Sequence, residues 1–218
     1  MDFLGAKTRR EFIAGLYTRE TAFVAETSYP PVNEEYLEWI DLLESVVEAR
    51  GPYTMIDLGA GFGRWAVRAA FALKQYKNET PHRLIAVEAE PVVFEWMGLH
   101  FADNDVDAGK HRLIHAAASD HSEDVRFYIG APKGSPWDLS PDAWYGQAMA
   151  KDYDVSGEYV EEGEYHGYTV RLHQSGWRSI QIPSVTLHSL MADLDHVDLL
   201  DMDIEGQELP VVRSTIEE

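Results

Sequence analysis

The chain contains no cysteine. Disulfides, thiolate nucleophiles and cysteine-bound metals are therefore excluded. No segment approaches 18 consecutive apolar residues, so no membrane-spanning helix is predicted. The opening MDFLGAKTRREF has no long apolar stretch of the kind a secretory leader carries. Together these absences predict a soluble, cytoplasmic protein. Basic residues are scarce as well: 18 Lys and Arg stand against 38 Asp and Glu, a formal net charge of -20. Such a field repels phosphate backbones and anionic lipids, so neither nucleic acid nor membrane is expected as a general partner. No internal repeat is visible. The nine histidines include no H-E-x-x-H pattern, and no metal is expected.

What the chain does have is 218 residues with 45% apolar content, enough for one domain with a sizeable core. Residues 1–33 are mixed and end in SYPPVN, where Pro30 and Pro31 break any helix. In NEEYLEWIDLLESVVEARGP, Asn33 is a candidate N-cap. Tyr36, Ile40, Leu43 and Val47 recur at helical spacing, and Gly51–Pro52 supply a stop. The pattern then alternates. YTMIDL (53–58) reads as a buried strand and RWAVRAAFALKQY (64–76) as a helix. RLIAVEAEP (83–91) is a strand, VVFEWMGLHF (92–101) a helix, and HRLIHAAAS (111–119) a third strand. That order predicts a doubly wound, Rossmann-like α/β fold with a mostly parallel sheet.

DVRFYIG (124–130) and WRSIQIPSV (177–185) alternate as half-exposed antiparallel strands do. Between them DYDVSGEYVEEGEY (152–165) carries six acids and no base, and reads as a solvated loop. Trp137, Trp144 and Tyr145 suggest a lid over a substrate. TLHSLMADL (186–194) reads as a short helix and VDLLDMDIEG (197–206) as the last strand. QELPVVRSTIEE is a final helix delayed or interrupted by Pro210. The expected organisation is an N-terminal helical extension at 1–52 and a ligand-binding domain at 53–218. A small antiparallel insertion occupies about 120–185.

Ligands of open α/β sheets bind beyond the C-terminal strand ends. The first such end carries Asp57 and then Gly59, Ala60, Gly61 and Gly63. Glycines let a backbone turn tightly and approach a ligand, and the helix starting near Arg64 offers free N–H groups. Gly63 has a second reading, as a spacer for the helix packed behind it. The second end carries Glu88, suited to the two hydroxyls of a ribose, followed by Ala89. The third offers Ala116, Ala117, Ala118 and Ser119, small residues that leave a slot for a flat base. The G-x-G-x-G spacing differs from the G-x-G-x-x-G of dinucleotide sites.

That spacing, with Asp57 before it and Glu88 downstream, resembles the first motif of class I S-adenosylmethionine-dependent methyltransferases. VTLHSLMADLDHVDLLDMDIEGQE further resembles the C-terminal signature of the FkbM-like family among them. There Asp203, Glu205, Gly206 and Glu208 fill an Asp-x-Glu-Gly pattern. AAASDHSEDVRFYIG resembles the family's stretch after the third strand. His188 departs from the pattern, standing at a usual Asp, and Asp201 stands where a lysine is frequent. The resemblance implies S-adenosylmethionine as cofactor, held by Asp57, Gly59, Ala60, Gly61, Gly63, Glu88, Ala89, Ala117, Ala118, Ser119 and Asp201. It also implies O-methylation of a small-molecule acceptor, with Asp203, Glu205 and His188 as candidate bases. Asp201 and Asp203, at i and i+2, are an alternative pair for a divalent ion, although two acids alone do not make a site. Class I methyltransferases place an antiparallel strand pair after the final helix. This sequence stops at Glu218, which predicts a fragment or a sheet completed by other elements. A nicotinamide-dependent oxidoreductase and a non-catalytic cofactor-binding module are the competing readings. The sequence leaves the oligomeric state open, with a homodimer as one candidate.

Overall fold

The computed structural model describes residues 1–13, 29–30, 32–33, 35–78, 80–129, 148–149, 159–174 and 176–217. Its centre is a parallel sheet in the order β11-β1-β2-β3, formed by β1 (Tyr53–Leu58), β2 (His82–Glu88), β3 (Arg112–His115) and β11 (Leu199–Met202). All six residues of β1 are buried, as an apolar run between two helical layers should be. From β1 the chain steps through β2 to β3 on one side, and returns later to place β11 on the other. The order reverses between β1 and β11. A crevice at the C-terminal strand ends follows from that reversal.

Alternation along the strands sorts residues to two faces. Tyr53, Met55, Leu84 and Ala86 point one way. They pack with α1 (Tyr36–Glu48), α2 (Arg64–Tyr76) and α3 (Pro91–Asp103) through Leu42, Val46, Val67, Leu73, Met97 and Phe101. Ile56, Leu58, Ile85 and Val87 point the other way, towards Leu187 and Leu190 of α4 (Leu187–Met191) and Val211 of α5 (Glu208–Glu217). Helices thus cover both faces, and the parallel α/β expectation holds. Among the described residues no helix is long and apolar enough to cross a membrane.

Several local expectations need correcting. Glu35, not Asn33, precedes α1, and the buried side is Trp39, Leu42 and Val46 rather than the set containing the exposed Val47. Both stripes have helical spacing, and the sheet selects the one it covers. The stretch 111–119 is not one strand. It breaks after His115, and β4 (Ala117–Ala118) pairs with β10 (Ser184–Val185) in a separate parallel ladder. Residues 159–165 of the acidic stretch form a strand, β7 (Tyr159–Tyr165), where a solvated loop was expected. Pairing with β8 (Tyr168–His173) satisfies the backbone, while Glu162 and Glu164 remain exposed. β5 (Val125–Tyr128), β6 (Ala148–Met149) and β9 (Arg178–Ile182) complete an antiparallel sheet in the order β6-β5-β9-β8-β7. Pro210 lies in the first turn of α5, where a backbone N–H has no helical partner, and it does not interrupt the helix. Trp137, Trp144 and Tyr145, the expected lid residues, lie outside the described residues.

The N-terminal segment shares the central core. Leu4 and Ala6 pack in the same cluster as Met55. Phe12 is completely buried, stacked on Trp96 at 5.1 Å and 5.4 Å from the Phe62 ring. Phe12→Ala removes this wedge behind the glycine loop. We expect a loss of about 3 kcal/mol of stability, measured by urea unfolding, from lost transfer energy and the cavity left behind.

Candidate functional site

The strand-end turn after β1 is held by its own backbone. The N–H groups of Gly59 and Ala60 both donate to the Val87 carbonyl at 3.0 Å, and Gly63 N–H donates to Ala60 O at 2.8 Å. Gly59 has φ +79°, and a Cβ built on it would meet the Asp203 carbonyl oxygen at 1.9 Å. Only glycine lets the loop cross so close to the chain leaving β11. Gly63, also left-handed, leaves no room for a Cβ against Met97 and Phe101 of α3. It is the spacer residue of the three. Gly61 has φ +56° and open space where a Cβ would be. Ala60 is buried in the core beside the loop.

Beneath the loop the apolar face covered by α1–α3 turns acidic. Continuing the alternation of Met55 and Ala86 by two residues reaches Asp57 and Glu88, and Asp201 lies directly opposite Asp57 in the ladder. At Asp201, where the resemblance placed a lysine, the two carboxylates repel instead of pairing. Asp57 is almost fully buried. Burial first, and then Asp201 and Glu88, push its carboxyl well above the ordinary value. Arg64 and the Ala66 backbone N–H, both in the first turn of α2, act against that shift. Among the described residues Asp57 Oδ2 has no hydrogen-bond partner. Asp201 is shifted upward by burial and by Asp203, and Glu38 of α1 by burial and by Asp201. Arg64 opposes these shifts at Asp57, Asp201 and Glu38, while its guanidinium is also paired with Glu35 at 2.6 Å. Sequence reading missed Glu38 and Arg64, because nothing local shows that α1 and α2 bring them near Asp57 and Asp201.

Glu88 is buried with both oxygens engaged. Oε2 accepts the Gly61 N–H at 2.8 Å, and Oε1 accepts the Glu90 N–H at 2.7 Å. Burial still raises its carboxyl to about 7. Glu88 therefore joins the glycine loop to the turn leading into α3. Glu90, which the sequence reading also passed over, caps α3: its Oε2 accepts the Val93 N–H at 2.6 Å, and Pro91 follows at the first helical position. The Glu-Pro pair was the signal that could have found it.

The third strand end differs from expectation in form. Ala117 and Ala118 form β4, Ala89 and Ala117 pack into the core of the antiparallel sheet, and Ser119 is fully buried. The Ser119 hydroxyl lies 3.3 Å from Asp120 Oδ1. The last turn is built by Glu208, whose Oε1 accepts the N–H groups of Ile204 at 3.1 Å and Gly206 at 3.2 Å. Glu205 sits there in the left-handed region at φ +54°, and Asp203 and Glu205 are exposed beyond the end of β11. Asp203 N–H donates to Leu58 O, which brings it to the loop. His188 is exposed on α4 and does not join the buried acids. Among the described residues no cluster of three or more His, Asp or Glu is placed to hold a metal ion. A cavity of about 550 Å³, lined by Lys74, Lys77, His82 and His111, opens at the N-terminal end of β2, away from these acids.

A parallel sheet between two helical layers, with a glycine turn and buried acids at its switch point, defines a three-layer α/β protein with its candidate site at the strand ends. Residues 57–218 match the model of the methyltransferase FkbM domain, and the chain belongs to that family. It is also 25% identical over 184 residues to a protein of Jannaschia sp. (strain CCS1) described as "Putative methyltransferase". That alignment covers 83% of this chain and 57% of the relative's length. No solved structure matches.

Proposed function

We propose that the chain is an S-adenosylmethionine-dependent methyltransferase acting on a hydroxyl of a small molecule. The observation that supports this most is the buried Asp57 Oδ2, unpartnered among the described residues and set among like charges directly beneath a glycine turn. Such a site favours a ligand that carries positive charge as well as hydrogen-bond donors. An amino-acid ammonium beside a sulfonium fits that donor set. On this reading Asp57 and the loop residues Gly59, Ala60 and Gly61 hold the methionine half, with Gly63 setting the helix behind them. Glu88 takes the ribose, and Ala89, Ala117, Ala118 and Ser119 border the base. Asp201, opposite Asp57 in the ladder, would add negative charge to the same site. Bound S-adenosylmethionine supplies an electrophilic methyl carbon. The chain's own residues then have to align the acceptor oxygen and receive its proton. Asp203 and Glu205, exposed beyond the end of β11, are the proposed bases, and His188 is a weaker third candidate. A small acceptor suits a crevice rather than a groove, and a net charge of -20 argues against nucleic-acid acceptors.

Calorimetry with S-adenosylmethionine, S-adenosylhomocysteine and NAD tests the cofactor. We expect binding of the first two and none of the third. A folded sample that binds only NAD supports the oxidoreductase reading instead. Methyl transfer to a panel of hydroxylated small molecules then tests the reaction, and cofactor binding without turnover on any of them argues for a binding module.

A further inference from the structure

The antiparallel sheet inserted between β4 and β10 reaches the proposed site through its β7–β8 hairpin. β7 and β8 are joined by a two-residue turn, His166–Gly167, with φ +47° and +84°. Positive φ at both central residues is the tight hairpin geometry whose twist matches the strands. Tyr165 and Tyr168 face each other across it. The Tyr165 hydroxyl donates to Glu90 Oε1 at 2.5 Å. The Tyr168 hydroxyl lies 3.3 Å from His115 Nδ1, and the other nitrogen of that ring, Nε2, lies 3.1 Å from the Ala89 carbonyl. Phe94 stacks on the His115 ring with centroids 4.9 Å apart. Ala89 completes the junction by packing into the insertion's own core.

We infer that Tyr165 and Tyr168 are positioning residues for the cofactor. Through Glu90 and His115 they hold the turn 88–91, and thereby set where the Glu88 carboxylate stands. This rests on the reading of Glu88 as the ribose acceptor. Glu90 is the link. Its side chain takes the Tyr165 hydroxyl, while its backbone N–H is one of the two that fix Glu88. Glu90 is also the N-cap of α3, so the carboxylate that accepts the Tyr165 hydroxyl fixes the backbone of the cap residue, and that backbone carries the N–H bound to Glu88. The insertion therefore reaches the ribose end of the crevice with its hairpin, 75 residues along the chain from the turn it holds.

The test is the affinity for S-adenosylhomocysteine by calorimetry, in Tyr165→Phe, Tyr168→Phe, Glu90→Gln and the double variant Tyr165→Phe/Glu90→Gln. Tyr159→Phe, exposed on the same hairpin, is the control. Tyr165→Phe is expected to weaken binding about tenfold and Tyr168→Phe about threefold, on the scale of a hydrogen bond to a buried group. Tyr159→Phe should bind as wild type. In the Glu90→Gln background the loss of the Tyr165 hydroxyl should cost less than twofold, because both changes break one chain of contacts. Amide exchange at Gly61 and Val93 should quicken in Tyr165→Phe while the core of β1 stays protected. Wild-type affinity in both tyrosine variants, or full additivity in the double variant, overturns the inference. If Tyr165→Phe fails to fold, Tyr168→Phe and its exchange pattern decide alone. Failure of the wild-type protein to bind overturns the cofactor reading instead, which keeps the two outcomes apart.

Discussion

Gly59→Ala should abolish measurable binding of S-adenosylmethionine and lower stability by about 4 kcal/mol. Two independent costs add at this position. A left-handed backbone with a side chain costs about 1–3 kcal/mol. Forcing a methyl group into packed backbone costs about as much again. The atom it would meet is the Asp203 carbonyl oxygen, 1.9 Å from the built Cβ, and that oxygen is not at the tip of a side chain that can swing away. Relief requires either the loop or the chain after β11 to move, and those two segments form the walls of the proposed site. Gly61→Ala is the informative comparison. It shares the positive φ, but a Cβ there meets nothing. It should retain the fold with about 1 kcal/mol lost, from strain alone. If thermal and urea unfolding gave equal losses for both, close approach would not be the reason for Gly59.

Glu88→Gln should weaken S-adenosylhomocysteine about thirtyfold and flatten the dependence of stability on pH. The wild-type carboxylate accepts two backbone N–H groups, from Gly61 and Glu90. Glutamine has one acceptor oxygen, so its amide must face the other donor, and the loop separates from the turn into α3. Lost hydrogen bonds to a charged acceptor cost about 1.5–3 kcal/mol, which sets the fold-change. The pH effect has a definite sign. Burial raises the Glu88 carboxyl from 4.5 to about 7, so the folded state binds its proton more tightly than the unfolded chain does. The associated stability is fully present below pH 4.5 and is lost as pH rises through 7. It amounts to about 3 kcal/mol over that window. Asp57 and Asp201 act in the same direction and remain in the variant. Subtracting the variant's urea-unfolding profile from the wild-type profile between pH 4.5 and 8 isolates Glu88. A variant with an unchanged slope would show that Glu88 is charged in the fold across that range.

The elements built on periodicity were legible in the chain before any coordinates. β1 and α2 occupy the predicted residues, because an apolar run of six and an alanine-rich helix each specify one geometry. The family was legible from the Gly59–Gly63 turn, Glu88 and the Asp203–Glu208 stretch, since each sits at a strand end that alternation makes recognisable. The break after His115 was not legible. Ala117 and Ala118 suit a continued strand equally well, and only pairing with Ser184 and Val185, far along the chain, takes them into another ladder. β7 was hidden for a related reason. Glu162 and Glu164 are exposed, and composition counts their charges without seeing that the backbone carrying them pairs with β8.

The sequence by itself determined the alternation of strands and helices from α1 to β3, the glycine turn, and the acids at the ends of β1, β2 and β11. Those properties follow from backbone sterics and from the two periodicities of the chain, and both act over neighbouring residues. The tertiary structure alone decided what the acids do. It set Asp57 against Asp201 in register, turned Glu38 and Arg64 onto them from α1 and α2, and gave both oxygens of Glu88 to Gly61 and Glu90. It also carried Tyr165 to Glu90. A carboxylate's charge state depends on burial and on groups within a few ångströms, and residues distant in the chain become such neighbours only when the sheet is assembled.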